Sequence, residues 1–358
     1  MKLYKYRPLS EFLFKELYYQ EIYFASYNEL NDPLDLKAKI DFTTNDIKQI
    51  SNLLKVMFKT SFKMNFESIS HSEEENNKSL YKFNTNNVSK NKLQKEIFKQ
   101  LQEIKTPNEI ITIYELEQVL KSTTSSLNFE FDIENFKKEI NRLTIKFLAN
   151  SYTTCFSENN DNPLMWSHYA SKHSGICIEF SLPSEGLFPY RMIGKRETNE
   201  EKYKSKASEW SVKELVYSGR LKKVTYEEEQ PYINFFDFFP VFDNEYDCDL
   251  IGLSKSWTHG FAYELENIFS IKTNPWKYEN EWRAIEINFG DSKEPEDRIR
   301  HYPIECLSAI YFGCNTPENV KNRIYKIFNR WSKTIQFYDC EIVSGKLMEF
   351  REWQHLDE

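Results

Sequence analysis

One stretch of the chain combines residue types and spacing that suggest chemistry: Trp276-Lys277-Tyr278-Glu279-Asn280-Glu281-Trp282-Arg283, running into the β-type AIEINF. On a strand, positions i and i+2 share a face, so Glu279 and Glu281 are expected to project side by side. Two carboxylates a few ångströms apart repel. That raises one pKa and gives either an acid/base pair or a pair that stabilises a cation. An oxocarbenium-like transition state on a ribose is one such cation. Trp276, Tyr278 and Trp282 would place a low-dielectric wall around the acids, with Trp276 and Tyr278 available to stack on a bound ring. The competing reading is an exposed face on which Glu281 and Arg283 make cross-strand ion pairs.

Arg7, at the end of LYKYR, is the second candidate: a guanidinium forks onto phosphate bidentately without help from a glycine loop. It reads equally as the partner of a core acid such as Asp32. Ser26, in YFAS, could orient a ligand hydroxyl or simply cap a strand end, and Asn31-Asp32-Pro33 reads as the turn that holds this region in place. In MWSHYASKH, His168 is either a general base or a hydrogen-bonding core histidine. His168 and His173 lie about 140° apart around a helix, which makes a shared metal site poor, and no zinc-type Cys/His set exists. No metal is expected. A hydrolase using His168 with Glu279 or Glu281 is a weaker third possibility.

Composition narrows the chemistry further. Of 358 residues only 9 are glycine, the first being Gly175, where an average chain of this length carries about 25. P-loop and Rossmann fingerprints are absent, as is G-x-S-x-G, so a nucleotide here must be gripped by side chains. The net charge of −8 does not favour nucleic acid, leaving room only for a local basic patch. No membrane segment or signal peptide is expected, and scattered cysteines without C-x-x-C fit a reducing, cytoplasmic setting.

The elements that must position these residues follow from periodicity. LYKYR, SEFLFKELYYQ and EIYFAS read as strand, helix and strand, with Ser10 as N-cap. Residues 44–150 shift to Lys, Asn, Glu and Ser. DIKQISNLLKVMFK and ENFKKEINRLTIKFLAN there have helical periodicity, while SHSEEENNKSLYKFNTNNVSKNK reads as a loop or a partly disordered stretch. This is a helical insertion, expected either to bind a protein partner or to pack on the core as a spacer or lid. Strand signals return at SYTTCFS, ICIEFSL, ELVYS, KKVTY, EWRAIEINF, SAIYFGC and TIQFYDCEIV, with a short helix at PLMWSHYASKH and an amphipathic one over 317–332. The expectation is an α+β fold: a mixed-sheet core from 1–43 and 151–358, interrupted by the insertion.

Taken together, LYKYRPL, IYFASYNELNDPLD, CFSENNDNPLMWSHYASKHSGICIEF, NPWKYENEWRAI and AIYFGC resemble the recurring motifs of the bacterial domain-of-unknown-function family 2971. This resemblance covers 1–36 and 151 to about 315 and implies a bacterial accessory or defence protein. The ordered Arg7, Ser26 and Glu279-Asn280-Glu281 are more distantly similar to NAD-dependent ADP-ribosyltransferases, although YFASYN lacks the usual Ser-Thr-Ser. That similarity implies NAD as substrate: Arg7 on the pyrophosphate, Ser26 on the nicotinamide ribose, Glu281 on the ribose and oxocarbenium, and Glu279 activating the acceptor. The expected function is an NAD-dependent ADP-ribosyltransferase or NAD-cleaving effector of toxin or anti-phage type. The alternative is a non-enzymatic phage-defence sensor that binds a partner through residues 44–150.

Overall fold

Alternation in Lys2–Arg7 (β1) sends Leu3, Lys5 and Arg7 to one face of a sheet and Tyr4 and Tyr6 to the other. The computed structural model describes residues 1–54, 81–82, 90–104, 109–126, 130–132, 134–138, 140, 151–182, 186–192, 215–238, 263–288, 293–330, 334–343 and 346–355. Helix α1 (Glu11–Tyr19) follows β1, and the Ser10 hydroxyl accepts from the Leu13 N–H as its N-cap. Next come β2 (Glu21–Tyr23) and β3 (Ala25–Ser26), then helices α2 (Lys90–Ile104) and α3 (Ile113–Ser126). The later elements are β4 (Ser151–Ser157), α4 (Pro163–Tyr169), β5 (Ile176–Ser181), β6 (Leu187–Met192), β7 (Leu215–Lys223), β8 (Thr225–Glu227) and β9 (Ile271–Thr273). The chain closes through β10 (Glu281–Ile287), β11 (Ile299–His301), β12 (Leu307–Phe312), α5 (Glu318–Phe328), β13 (Gln336–Val343) and β14 (Lys346–Glu352).

The fold is α+β. A 12-stranded sheet runs β2-β11-β6-β7-β10-β4-β1-β5-β12-β13-β14, with β3 beside β4. Its pairings are antiparallel except β12 with β13, so the sheet is mixed. On the face of Leu3, residues Ile178, Phe180, Ile310 and Phe312 pack against Leu13 and Leu17 of α1 and Ile324 and Phe328 of α5. Each such side chain contributes roughly 1.5–3 kcal/mol on burial. On the other face Tyr6, Cys177 and Tyr311 meet Met165 and Trp166 of α4. The first glycine has a specific task here: a Cβ on Gly175 would lie 2.3 Å from the Arg7 carbonyl oxygen, so only glycine lets β5 start against the end of β1.

Strands β6 and β14 go beyond the sequence reading. ELVYS and the KK of KKVTY are joined, because pairing of Leu187–Met192 with Arg220–Leu215 carries one strand over Leu215–Lys223. The helical region builds a separate core in which Leu53, Leu54, Ile97, Leu101, Leu116 and Leu120 meet. Phe235 and Phe236, distant in sequence, join that core, and Tyr232–Asn234 pairs in parallel with Lys39–Asp41. DIKQISNLLKVMFK is helical over 47–54 and ENFKKEINRLTIKFLAN over 134–138 and at 140; their remainders lie outside the described residues. So does the polar segment SHSEEENNKSLYKFNTNNVSKNK, apart from residues 81–82 and 90–92. Among the described residues no helix is long and apolar enough to cross a membrane.

Candidate functional site

The sheet parts at its centre. Strand β1 pairs with β5 from Lys2↔Ser181 to Arg7↔Ile176 but meets β4 only at Tyr4↔Ser157. The other edge of β4 is taken by β10 along its whole length, and on the β1 side β3 takes over at Thr153 and Tyr152. Thr154, Cys155 and Phe156 therefore face an opening between strands. A cavity of about 360 Å³ occupies it, lined among others by Lys5, Arg7, Glu16, Asp35, Tyr169, Lys272, Glu279, Glu281 and Tyr302. That volume falls within the range of small-molecule sites.

A cluster of buried charges forms one wall. Pro275 opens a 3₁₀ turn over Asn274–Glu279, Asn280 adopts a left-handed conformation (φ 43°), and Glu281 begins β10. The turn folds both carboxylates onto Lys272 of β9, whose strand is positioned by parallel pairing with β8. Lys272 Nζ donates to Glu279 Oε2 at 2.6 Å and Glu281 Oε2 at 3.2 Å and lies 3.4 Å from Asp35 Oδ2. Arg283 Nε donates to Glu281 Oε1 at 2.7 Å, its Nη2 to Asp35 Oδ2 at 2.8 Å, and its Nη1 to the Phe269 carbonyl at 2.6 Å. The Tyr169 hydroxyl donates to Glu279 Oε1 and accepts from Asn31 Nδ2 at 2.6 Å. The Glu281 N–H donates to the Tyr226 hydroxyl at 2.9 Å.

Three buried carboxylates against two buried cations leave one negative charge in excess if all are ionised, and the excess is unevenly carried. Burial and the Glu281 charge raise the Glu279 carboxyl to about 7, against the pull of Lys272. Burial also pushes Glu281 upward, but Arg283 and Lys272 outweigh it and hold that carboxyl well below the usual range. Lys272 is desolvated, yet Glu281, Asp35 and Glu279 keep it firmly protonated. Adjacent acids driven in opposite directions can divide two roles, one staying anionic while the other exchanges a proton near neutrality. Among the described residues no group of three or more His, Cys, Asp or Glu side chains could hold a metal ion; Lys272 holds the space between these three acids.

The residues expected from sequence are distributed as follows. Arg7, Glu279 and Glu281 line the one cavity. The pair does not sit on a single strand as expected, because Glu279 ends the 3₁₀ turn, and the left-handed Asn280 brings the two carboxylates together. Nor is the Glu281–Arg283 pair exposed: both residues are buried. Arg7 is bound bidentately by Glu16, with Nε to Oε2 at 2.9 Å, instead of by Asp32. Asp32 accepts from the Leu34 N–H, the turn role read from sequence. Ser26 donates its hydroxyl to Glu29 at 2.8 Å, and its neighbour Ala25 lines the cavity. Ser26 therefore acts as a local turn clasp. His168 is exposed, 6.2 Å from the Tyr278 ring and not among the residues that line the cavity. Trp276 covers Lys272 Nζ at 4.8 Å from its ring centroid, and Tyr278 lies 6.2 Å from Trp276. These two rings shield the cluster without lining the cavity.

Asp35 and Lys5 escaped the sequence reading, in which Tyr169 reads as core and Lys272, near the acidic motif, has no defined role. The available signals were weak: a charge between leucines in Leu34-Asp35-Leu36, and lysines inside the β-type runs Ile271-Lys272-Thr273 and Tyr4-Lys5-Tyr6.

A family model described as Protein of unknown function (DUF2971) matches residues 165–284. The chain is similar to that family over this stretch, which holds Tyr169, Lys272 and both glutamates but not β1. No curated protein and no solved structure matches the chain. The expected similarity to ADP-ribosyltransferases therefore receives no support from these comparisons.

Proposed function

We propose that the protein cleaves an N-ribosyl bond of a pyridine dinucleotide of the NAD type, passing the ribosyl group to water or to an acceptor hydroxyl. The observation that carries this reading is the Glu279–Glu281 pair at the cavity in the sheet opening, with one carboxyl raised and the other lowered. When the C1′–N bond breaks, its electron pair passes to the nicotinamide nitrogen and cancels the ring's positive charge, so the leaving group needs no proton. The positive charge that develops on the ribosyl carbon is stabilised by ionised Glu281, which Arg283 and Lys272 orient. The acceptor oxygen forms the new C1′–O bond and gives its proton to Glu279, the base, steadied by Tyr169 and Lys272. Because a base must be ionised, the rate rises with pH through the Glu279 pKa.

The test is release of free nicotinamide, and transfer of label from adenine-labelled NAD to lysate proteins, by the full chain and by its Glu281→Gln variant. Release by the wild type that is abolished in the variant is the expected result. No release and no transfer by either protein overturns the reading.

A further inference from the structure

Every carboxylate that lines the cavity is already held by a cation. Glu16 pairs with Arg7, Glu21 with Lys15, Glu29 with Arg298, and Asp35, Glu279 and Glu281 share Lys272. Lys5 is different. Its ammonium crosses the opening between β1 and β4 and donates to Thr154 Oγ1 at 2.8 Å and to the Cys155 carbonyl at 3.0 Å. Both acceptors are neutral, and among the described residues no carboxylate pairs with it. Its ammonium also lies 5.3 Å from the Phe156 ring centroid, and one of its three N–H donors has no hydrogen-bond acceptor among the described residues. A desolvated charge without a counter-charge is unfavourable, and its consequence is visible here: burial and the neighbouring Arg7 lower the Lys5 pKa to about 8, only partly offset by Cys155, Glu16 and Glu281.

A second unspent donor lies in the same lining. Tyr302 is 4% exposed, and its hydroxyl has no hydrogen-bond partner. Burial raises its pKa, so it stays a neutral donor, and the charges acting on it are those of Glu16 and Arg7, which also act on Lys5. A cation without a counter-charge and an orphaned hydroxyl thus line the same cavity as Arg7, which is already occupied by Glu16.

We propose that Lys5 and Tyr302 form the anion subsite of this cavity, taking a phosphate or pyrophosphate oxygen of the ligand, while the Arg7–Glu16 pair serves as wall. The proposal deepens the reading above by placing the dinucleotide's pyrophosphate, but inorganic pyrophosphate tests it without any cleavage. Anion binding restores the missing counter-charge and raises the Lys5 pKa, so near pH 8 binding takes up a proton.

Isothermal titration of the full chain with inorganic pyrophosphate, at pH 8 in two buffers of different ionisation enthalpy, reads both affinity and proton uptake. Lys5→Met is expected to weaken binding by about 10- to 100-fold, as for loss of a charge-assisted hydrogen bond, and to abolish proton uptake. Lys5→Arg keeps the affinity but takes up no proton. Tyr302→Phe weakens binding by several-fold, and the double variant Arg7→Met, Glu16→Gln leaves it nearly unchanged. Millimolar pyrophosphate failing to bind the wild type, Lys5→Met binding as wild type, or loss of binding in the Arg7, Glu16 double variant alone overturns the proposal. Should Lys5→Met fail to fold, the wild type without proton uptake overturns it equally. Pyrophosphate binding that requires Lys5, with no nicotinamide release from NAD, would leave the subsite standing and remove the cleavage reading.

Discussion

Glu179 and Glu279 are both buried acids beside the central strand, yet their surroundings drive them in opposite directions. Glu179 lies on β5, opposite Tyr4. It accepts from the Ser308 hydroxyl at 2.7 Å and the Tyr311 hydroxyl at 2.8 Å and pairs with Lys2 at 2.9 Å. Burial pushes its pKa up, but these three donors outweigh that and hold it below the ordinary range. Glu279 also has a tyrosine hydroxyl and a lysine, but it shares that lysine with Glu281 and Asp35, and its carboxyl rises. The two sites differ less in donors than in company. An acid alone among donors closes a sheet face; an acid set beside another acid, at an opening between strands, is poised to exchange a proton.

The largest expected effect separates the sites by activity. Glu281→Gln should lower nicotinamide release by about 10²–10³-fold, as for loss of a preorganised electrostatic group, whereas Glu179→Gln should leave turnover unchanged in the folded protein. Equal losses in both variants would break the comparison.

Stability should separate them next. Arg283→Met leaves Asp35 and Glu281 short of their buried cation and is expected to cost about 3–5 kcal/mol by urea denaturation. The side chain of Lys2 is 62% exposed, and Lys2→Met should cost about 1 kcal/mol or less.

The pH dependence of stability should have opposite signs at the two acids. Folded Glu279 keeps a proton that the unfolded chain releases from about pH 4.5 upward, so its contribution to stability falls as pH rises toward about 7. Glu279→Gln removes that slope, making the variant more stable than wild type at pH 8 by about 1–3 kcal/mol. Glu179, depressed in the fold, contributes stability that is present above its unfolded pKa and lost as pH falls through its folded pKa. Glu179→Gln is therefore destabilised at pH 8. Urea midpoints at pH 5 and pH 8 for both variants decide the signs.

The smallest effect concerns the hydroxyls. Tyr169→Phe removes a donor that lowers the Glu279 pKa, so the acid limb of the pH–rate profile should move up by about 0.5–1 pH unit. Tyr311→Phe should leave that limb in place, since its hydroxyl serves Glu179.

Much of the fold could be read locally. Ser10 capping α1, the alternation of β1 and the strand at EWRAIEI each follow from side chains within a few positions of one another. Strands β6 and β14 could not, because each depends on a partner supplied elsewhere in the chain. At the site, Arg7, Glu279 and Glu281 stand out because a charged pair set among tryptophans, or an arginine closing an aromatic strand, departs from its local context. His168 and Ser26 were equally visible, but their surroundings turned them to solvent and to Glu29 respectively.

By its own order, then, the sequence determined that any nucleotide the protein handled would have to be held by side chains, since glycine is scarce, and that two glutamates would lie close together, since one residue separates them. Only the tertiary structure decided what those glutamates are. Asp35 meets Arg283 across 248 residues, and Lys5 reaches Thr154 across 149. Whether a carboxyl is raised or lowered, and whether a cation is paired or open, depends on burial and on charges brought near in space, neither of which is a property of neighbouring positions in the chain.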